Sequence, residues 1–179
     1  MRGSLRAATS LAWFVAIGGA FGWLVPWLNG YWHFHQPLPY WGIARAAGVI
    51  LIGAGLVPLL RSFVDFFQAG GTPVPVASPP RLVVTGFYRY VRNPIYVGFL
   101  IILIGQTLLF GTLGMLRYTA ITIVIGLAAV RFYEEPVLAR KFGPEYQAYR
   151  AAVRAWVPRL RPWTPRPQAG ADGPHASQW

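Results

Sequence analysis

The stretch from Gly86 to Gly98 reads G-F-Y-R-Y-V-R-N-P-I-Y-V-G, and it runs straight into two apolar segments that end at Glu134-Glu135. The segments, Ile95 to Phe110 and Leu113 to Val130, have the apolarity of membrane crossings, and Gly111-Thr112 supplies a turn between them. Two antiparallel crossings return a chain to the side it left. The Arg/Asn/Tyr cluster and the paired carboxylates are therefore predicted to meet at one membrane surface. Polar side chains are costly at that depth, so their presence at span ends marks a site.

Working outward, Ser10 to Leu28 is an uncharged apolar run and reads as a first, retained span. Asn29 to Pro39 is an aromatic loop, and Ile43 to Leu60 is a second span, with Pro58 placed to kink its inner end. The spans 10–28, 43–60, 95–110 and 113–130 thus give four crossings. The third is short, about 24 Å at 1.5 Å per residue against a core of about 30 Å, which suits packing against neighbours or local thinning of the bilayer. The Gly/Pro-rich stretch 68–80 breaks every period. After the fourth span, Leu138, Phe142, Tyr146, Tyr149, Val153 and Trp156 recur at helical steps, predicting an amphipathic helix over about 136–156 on the cytoplasmic interface, broken at Gly143-Pro144. Residues 161–179 read as a disordered tail. The expectation is an all-α integral membrane protein: four transmembrane helices plus a C-terminal amphipathic interfacial helix, with residues 1–160 as one membrane domain.

Composition agrees. The 179-residue chain is 55% hydrophobic and only 12% charged, which fits a bilayer better than water. Net charge +11 in a soluble protein would suggest nucleic acid, but no aromatic-basic module of an RNA or DNA binder occurs. Basic residues beside spans report orientation and contact with anionic lipid head groups. All but Arg45 and Arg117 of the sixteen fall on one side, so both termini and the 61–93 loop are predicted cytoplasmic. Lys141 is the single lysine, an Arg-for-Lys bias that hints at a GC-rich bacterial genome and hence at a bacterial cytoplasmic membrane. Cysteine is absent, which excludes disulfides and thiolate chemistry, and three histidines with few acids argue against a metal site.

Individually, the polar residues have plain explanations. Asn93 is a favoured N-cap and Pro94 suits the first helical position, so the pair can simply start a helix. Arg89 and Arg92 can be membrane anchors, and Tyr88 and Tyr96 belt aromatics. Glu134 and Glu135 resist that reading, being two of only five acids in the chain. Glu135 can pair with Arg131 four residues earlier. The functional reading uses the same geometry, because a helix N-terminus offers free N–H groups and a positive dipole end to an anion.

Taken in order, Gly86-Phe87-Tyr88, Arg92-Asn93-Pro94-Ile95-Tyr96, Glu134-Glu135, Phe142-Gly143-Pro144-Glu145-Tyr146-Gln147-Ala148-Tyr149 and Val157-Pro158 resemble the isoprenylcysteine carboxyl methyltransferase and phospholipid methyltransferase superfamily. The resemblance covers roughly residues 70 to 160. It implies an integral membrane enzyme that uses S-adenosyl-L-methionine to methylate a lipid-like acceptor. It also implies cofactor contacts at Leu82, Val83, Tyr88, Asn93, Pro94, Ile95, Tyr96 and Glu135, and substrate contact at Arg131. Asn93 stands where the commonest family form has His; Asn keeps a hydrogen bond but exchanges no proton near neutral pH, which favours binding over base catalysis there.

Arg131 and Glu134 are the expected catalytic pair. A carboxylate acceptor needs no base and can be held by Arg131, whereas a phospholipid amine must first lose a proton, with Glu134, Tyr96 or water to take it. The carboxylate is preferred on this count. Two other classes stay open: an NADPH-dependent membrane reductase with a similar motif, and a non-catalytic scaffold whose motif residues only cap helices.

Overall fold

A computed structural model describes residues 16, 18–68 and 81–164, and within them the secondary structure is helical throughout. A turn of π geometry at Ala20–Leu24 continues without a break into Val25–Leu28, together α1. Then follow α2 (Gly42–Gln68), a 3₁₀ turn at Gly86–Arg89, α3 (Pro94–Phe110), α4 (Leu113–Ala129), a second π turn at Val130–Glu134, and α5 (Glu135–Ala152). By length and composition, Gly42–Asp65 and the continuous helix Leu113–Ala152 are apolar enough to cross a membrane, while Pro94–Phe110 is a shorter apolar helix. Residues 10–15 and 17 of the expected first span lie outside the described residues, as do 69–80 and 165–179; from Gly18 to Leu28 that span is helical.

Backbone contact joins α2 to α3. A Cβ on Gly48 would meet the Gly105 carbonyl at 2.6 Å, and one on Gly105 would meet the Gly48 carbonyl at 2.7 Å. One turn-pair further in, Gly55 and Gly98 stand in the same reciprocal relation at 2.6 Å each. Small residues seven apart on both antiparallel helices leave a groove in each, and close approach is how helices associate where no hydrophobic effect separates them from lipid. The opposite face of α2 carries Ile43, Val49, Ile50, Val57 and Leu60, all exposed, as a lipid-facing surface requires.

The α3–α4 hairpin is set by its ends. Gly111 ends α3 at φ 69°, a left-handed conformation that favours glycine, and its N–H closes on the Thr107 carbonyl. Thr112 then caps α4, its hydroxyl accepting the Met115 N–H. Leu103 and Met115 are fully buried between the helices, and the Thr107 and Thr119 hydroxyls bond across at 2.8 Å.

Two sequence expectations change. The second helix is longer than the expected 43–60: α2 runs through Pro58 to Gln68. The amphipathic helix is shorter than 136–156, because the chain leaves helix at Val153 to pair with the segment before α3. Arg92 N–H donates to the Arg154 carbonyl, Arg159 N–H to Tyr90, and Trp163 N–H to Arg89, each at 2.9 Å. The apolar stripe of α5 meets this protein surface rather than only lipid: Tyr146, Tyr149 and Val153 form a buried cluster with Leu82, Val84, Phe142 and Trp163. The expected break is present at Gly143, with φ 51° and ψ −127°.

Candidate active site

A cavity of about 830 Å³ opens among all five helices, with the segment Arg81–Val83 along one wall. Of the residues expected to hold a cofactor, Leu82, Val83, Tyr88, Asn93, Ile95 and Tyr96 line it. Glu134 lines it too. Pro94 is buried at the first position of α3, and neither it nor Arg131 nor Glu135 forms part of the wall.

Helix geometry separates the two glutamates. In the π turn Val130–Glu134 the Glu135 N–H reaches back five residues to the Val130 carbonyl, and such a bulge rotates the following residues about the helix axis. Glu134 turns to the cavity and accepts a short hydrogen bond from the Tyr96 hydroxyl. Tyr96 is held edge-on by Trp156, ring centroids 6.2 Å apart at 76°. Glu135 turns into the protein, where its side chain is 7% exposed and meets Arg92 Nη1 at 2.7 Å, Arg150 Nη2 at 3.3 Å and Arg131 Nη1 at 3.9 Å. The Arg131 pairing read from sequence is thus the longest of three, and Arg131 is 64% exposed. Arg92 is the main partner.

Arg92 carries the link from Glu135 to the cavity. It lines the wall, its side chain is 10% exposed, and its Nη1 also donates to the Tyr146 hydroxyl at 3.1 Å. Its Nε is buried without a partner among the described residues. An unmatched N–H on a buried guanidinium beside a cavity is a place for an anionic oxygen.

Asn93 departs from a simple cap. Its side chain makes no capping bond; Nδ2 donates to the Ala155 carbonyl at 3.2 Å, tying the start of α3 to the segment after α5. Its carbonyl accepts the Val97 N–H, so the helix begins here all the same. Pro94 has no N–H, and those of Ile95 and Tyr96 have no intrahelical partner, so the dipole end of α3 is open at the cavity wall. Tyr88 is buried in the 3₁₀ turn, and its carbonyl accepts the Tyr149 hydroxyl at 2.7 Å. Burial pushes the Tyr88 phenol well above its usual range, with Tyr149 and the Asp65 and Glu134 carboxylates adding to the effect. Tyr88 is therefore a neutral hydrogen-bonding group at physiological pH.

Sequence reasoning missed four contributors. Arg92 was read as an anchor, since nothing in its spacing announces a partner 43 positions away. Tyr146 and Tyr149 stand in the sequence as part of an apolar stripe and of a family motif, with no site role attached, and both line the cavity. Gln106, an amide in the middle of an apolar helix, was a visible signal that was passed over.

With this geometry in hand, the model of the family described as phospholipid methyltransferase matches residues 43–145. The chain belongs to that family. The matched region runs from α2 into α5 and contains α3, the hairpin and both glutamates. Among curated proteins, methanethiol S-methyltransferase 1 of Bradyrhizobium diazoefficiens is 35% identical over 88 residues, 48% of this chain and 29% of that protein. Protein-S-isoprenylcysteine O-methyltransferase of Schizosaccharomyces pombe is 35% identical over 85 residues, covering 44% of this chain and 34% of its own length. Methanethiol S-methyltransferase 2 of B. diazoefficiens is 28% identical over 143 residues, 73% of this chain and 54% of its own. The chain thus spans about a third to a half of the length of these relatives. No solved structure matches it.

Proposed function

We propose that this phospholipid methyltransferase family member is an integral membrane enzyme with four spans and both termini cytoplasmic. It transfers a methyl group from S-adenosyl-L-methionine to an apolar, membrane-soluble acceptor. The observation that carries the reading is the meeting, on one cavity wall, of the open N-terminus of α3, a buried Arg92 with an unmatched Nε, and the Tyr96–Glu134 pair. Cavities that enclose ligands of cofactor size run to about 300–1,000 Å³, so the volume suffices. Arg92, Tyr88 and the α3 N–H groups would hold the carboxylate end of the cofactor, and Leu82, Val83 and Ile95 its apolar surfaces. When bound, the cofactor supplies an electrophilic methyl on a sulfonium. Glu135 serves by orienting Arg92 rather than by direct contact.

Arg131 was the reason to rank a carboxylate acceptor first, and its exposure away from the cavity wall removes that reason. The group in position is Glu134, which with Tyr96 can take a proton from a thiol or amine as its lone pair is released. The apolar remainder of the wall excludes water, which limits hydrolysis and strengthens the polar contacts. We therefore place a protic acceptor, thiol before amine, ahead of a carboxylate. The S-methyltransferase relatives support that order, and the O-methyltransferase relative supports the carboxylate as second reading.

The test supplies methyl-labelled S-adenosylmethionine with an alkanethiol, phosphatidylethanolamine or a prenylated cysteine, then treats the product with mild base. A base-stable label on the thiol is expected. A base-labile label on the prenylated cysteine would make the second reading correct, and no transfer to any acceptor would overturn both.

A further inference from the structure

The cavity is polar at both ends. One end holds Tyr96 and Glu134; the other holds Gln106, Tyr118 and Thr122, with Phe99, Ile102 and Ile125 between them. Gln106 is 7% exposed in a helix that is otherwise almost wholly apolar. A buried amide at membrane depth is disfavoured unless each of its groups is matched. Half of this one is: Nε2 donates to the Gly22 carbonyl at 2.9 Å, while the Tyr118 hydroxyl donates to the neighbouring Phe21 carbonyl at 2.5 Å. These two bonds hold the π turn of α1 against the α3–α4 hairpin. The other half is not matched, because Gln106 Oε1 is buried with no partner among the described residues. Clamping Gly22 requires only the NH₂ group, so the clamp does not explain the carbonyl oxygen.

We infer that Gln106, with Tyr118 and Thr122, forms a distal polar subsite that receives a neutral hydrogen-bond donor, a hydroxyl or an amide N–H, at the far end of the acceptor. The inference rests on reading this cavity as the acceptor's binding site. Ten residues of α3 separate Tyr96 from Gln106, which places the two polar ends about 15 Å apart along the helix. The ligand class is an elongated amphiphile with a protic group at one end, an apolar middle, and a second donor about 15 Å away. The terminal amide torsion of Gln is soft, so a modest turn presents Oε1 to such a donor. A simple hydrocarbon chain fills the same space and leaves the oxygen unmatched.

The probes are dodecan-1-ol and dodecane-1,12-diol, compared at equal free concentration by their stabilisation of the purified full chain against thermal unfolding in detergent. The diol is expected to bind about tenfold more tightly in the wild type, and the ratio is expected to fall to about one in Gln106→Leu. Hexane-1,6-diol, too short to reach both ends, is expected to show no such advantage over hexan-1-ol. Equal binding of the two long probes in the wild type overturns the subsite, and that comparison requires no variant to fold. A preference that survives in Gln106→Leu, or that appears with the short pair, overturns it as well. No cofactor is present and neither probe is methylated, so failure here is separate from failure of the labelled-transfer test.

Discussion

Replacing Glu135 by leucine removes the charge on which three guanidinium groups converge, and the structure says how unequal their shares are. Arg92 lies 2.7 Å from it with both side chains about nine-tenths buried, whereas Arg150 and Arg131 are 39% and 64% exposed at 3.3 and 3.9 Å. Exposed pairs contribute about 0–1 kcal/mol, so these two arginines add little. Breaking a buried pair from one side strands the other charge and costs about 3–5 kcal/mol. That is a large part of a typical stability of about 5–15 kcal/mol. Glu135→Leu is therefore expected to lose about 3–5 kcal/mol, nearly all of it through Arg92. Replacing both members by apolar residues is far milder than breaking the pair, so Arg92→Met/Glu135→Leu is expected to be more stable than Glu135→Leu alone. Reversible unfolding in mixed micelles, read by circular dichroism, measures the single variants Glu135→Leu and Arg92→Met and the double variant. Strict additivity of the two single changes, or a loss under about 1 kcal/mol in Glu135→Leu, would refute the assignment of Arg92 as its partner.

Other substitutions probe separate parts of the account. Arg131→Ala should change stability by no more than about 1 kcal/mol and leave cofactor affinity intact, as measured by the same unfolding and by S-adenosylhomocysteine titration; a tenfold weaker titration would return Arg131 to the site. Tyr96→Phe and Glu134→Gln should each slow methyl transfer to a thiol by about 10²–10⁴ while S-adenosylhomocysteine still binds, and transfer at the wild-type rate in both would remove the proton-accepting role. Gly55→Val and Gly98→Val should each block assembly of α2 with α3, since even a Cβ would lie 2.6 Å from a carbonyl oxygen, and the yield of monodisperse protein reports it. Recovery of either variant as wild type would contradict the backbone packing.

The sequence made the hairpin legible because its signals are local. Apolar runs, a Gly-Thr turn and an Asn-Pro helix start lie within a few residues of the structure they specify, and α3 and α4 begin and end within a residue of the expected limits except at the π turn. The Gly143 break was legible for the same reason. The π turn was not, since one extra residue within a helix leaves no compositional trace, yet it ends at Glu134, the glutamate that meets Tyr96. Nor was the Arg92–Glu135 pair, which joins residues whose nearness depends on two helices and a turn folding first. The end of α5 lies earlier than expected because Val153 and Trp156 continue the apolar period, while the backbone from Arg154 onward pairs with the segment before α3. The cavity residues expected from sequence come from family motifs, whereas Gln106, outside any motif, has only its polarity to announce it.

The central claim is that the wall formed by Tyr88, Arg92, Asn93, Tyr96 and the start of α3 binds S-adenosylmethionine. Isothermal titration of the purified protein with S-adenosylhomocysteine, run beside NADPH, tests it most directly. The account predicts saturable binding of S-adenosylhomocysteine that is lost in Arg92→Met and a flat trace with NADPH. Binding of NADPH instead, or of neither compound, would contradict it.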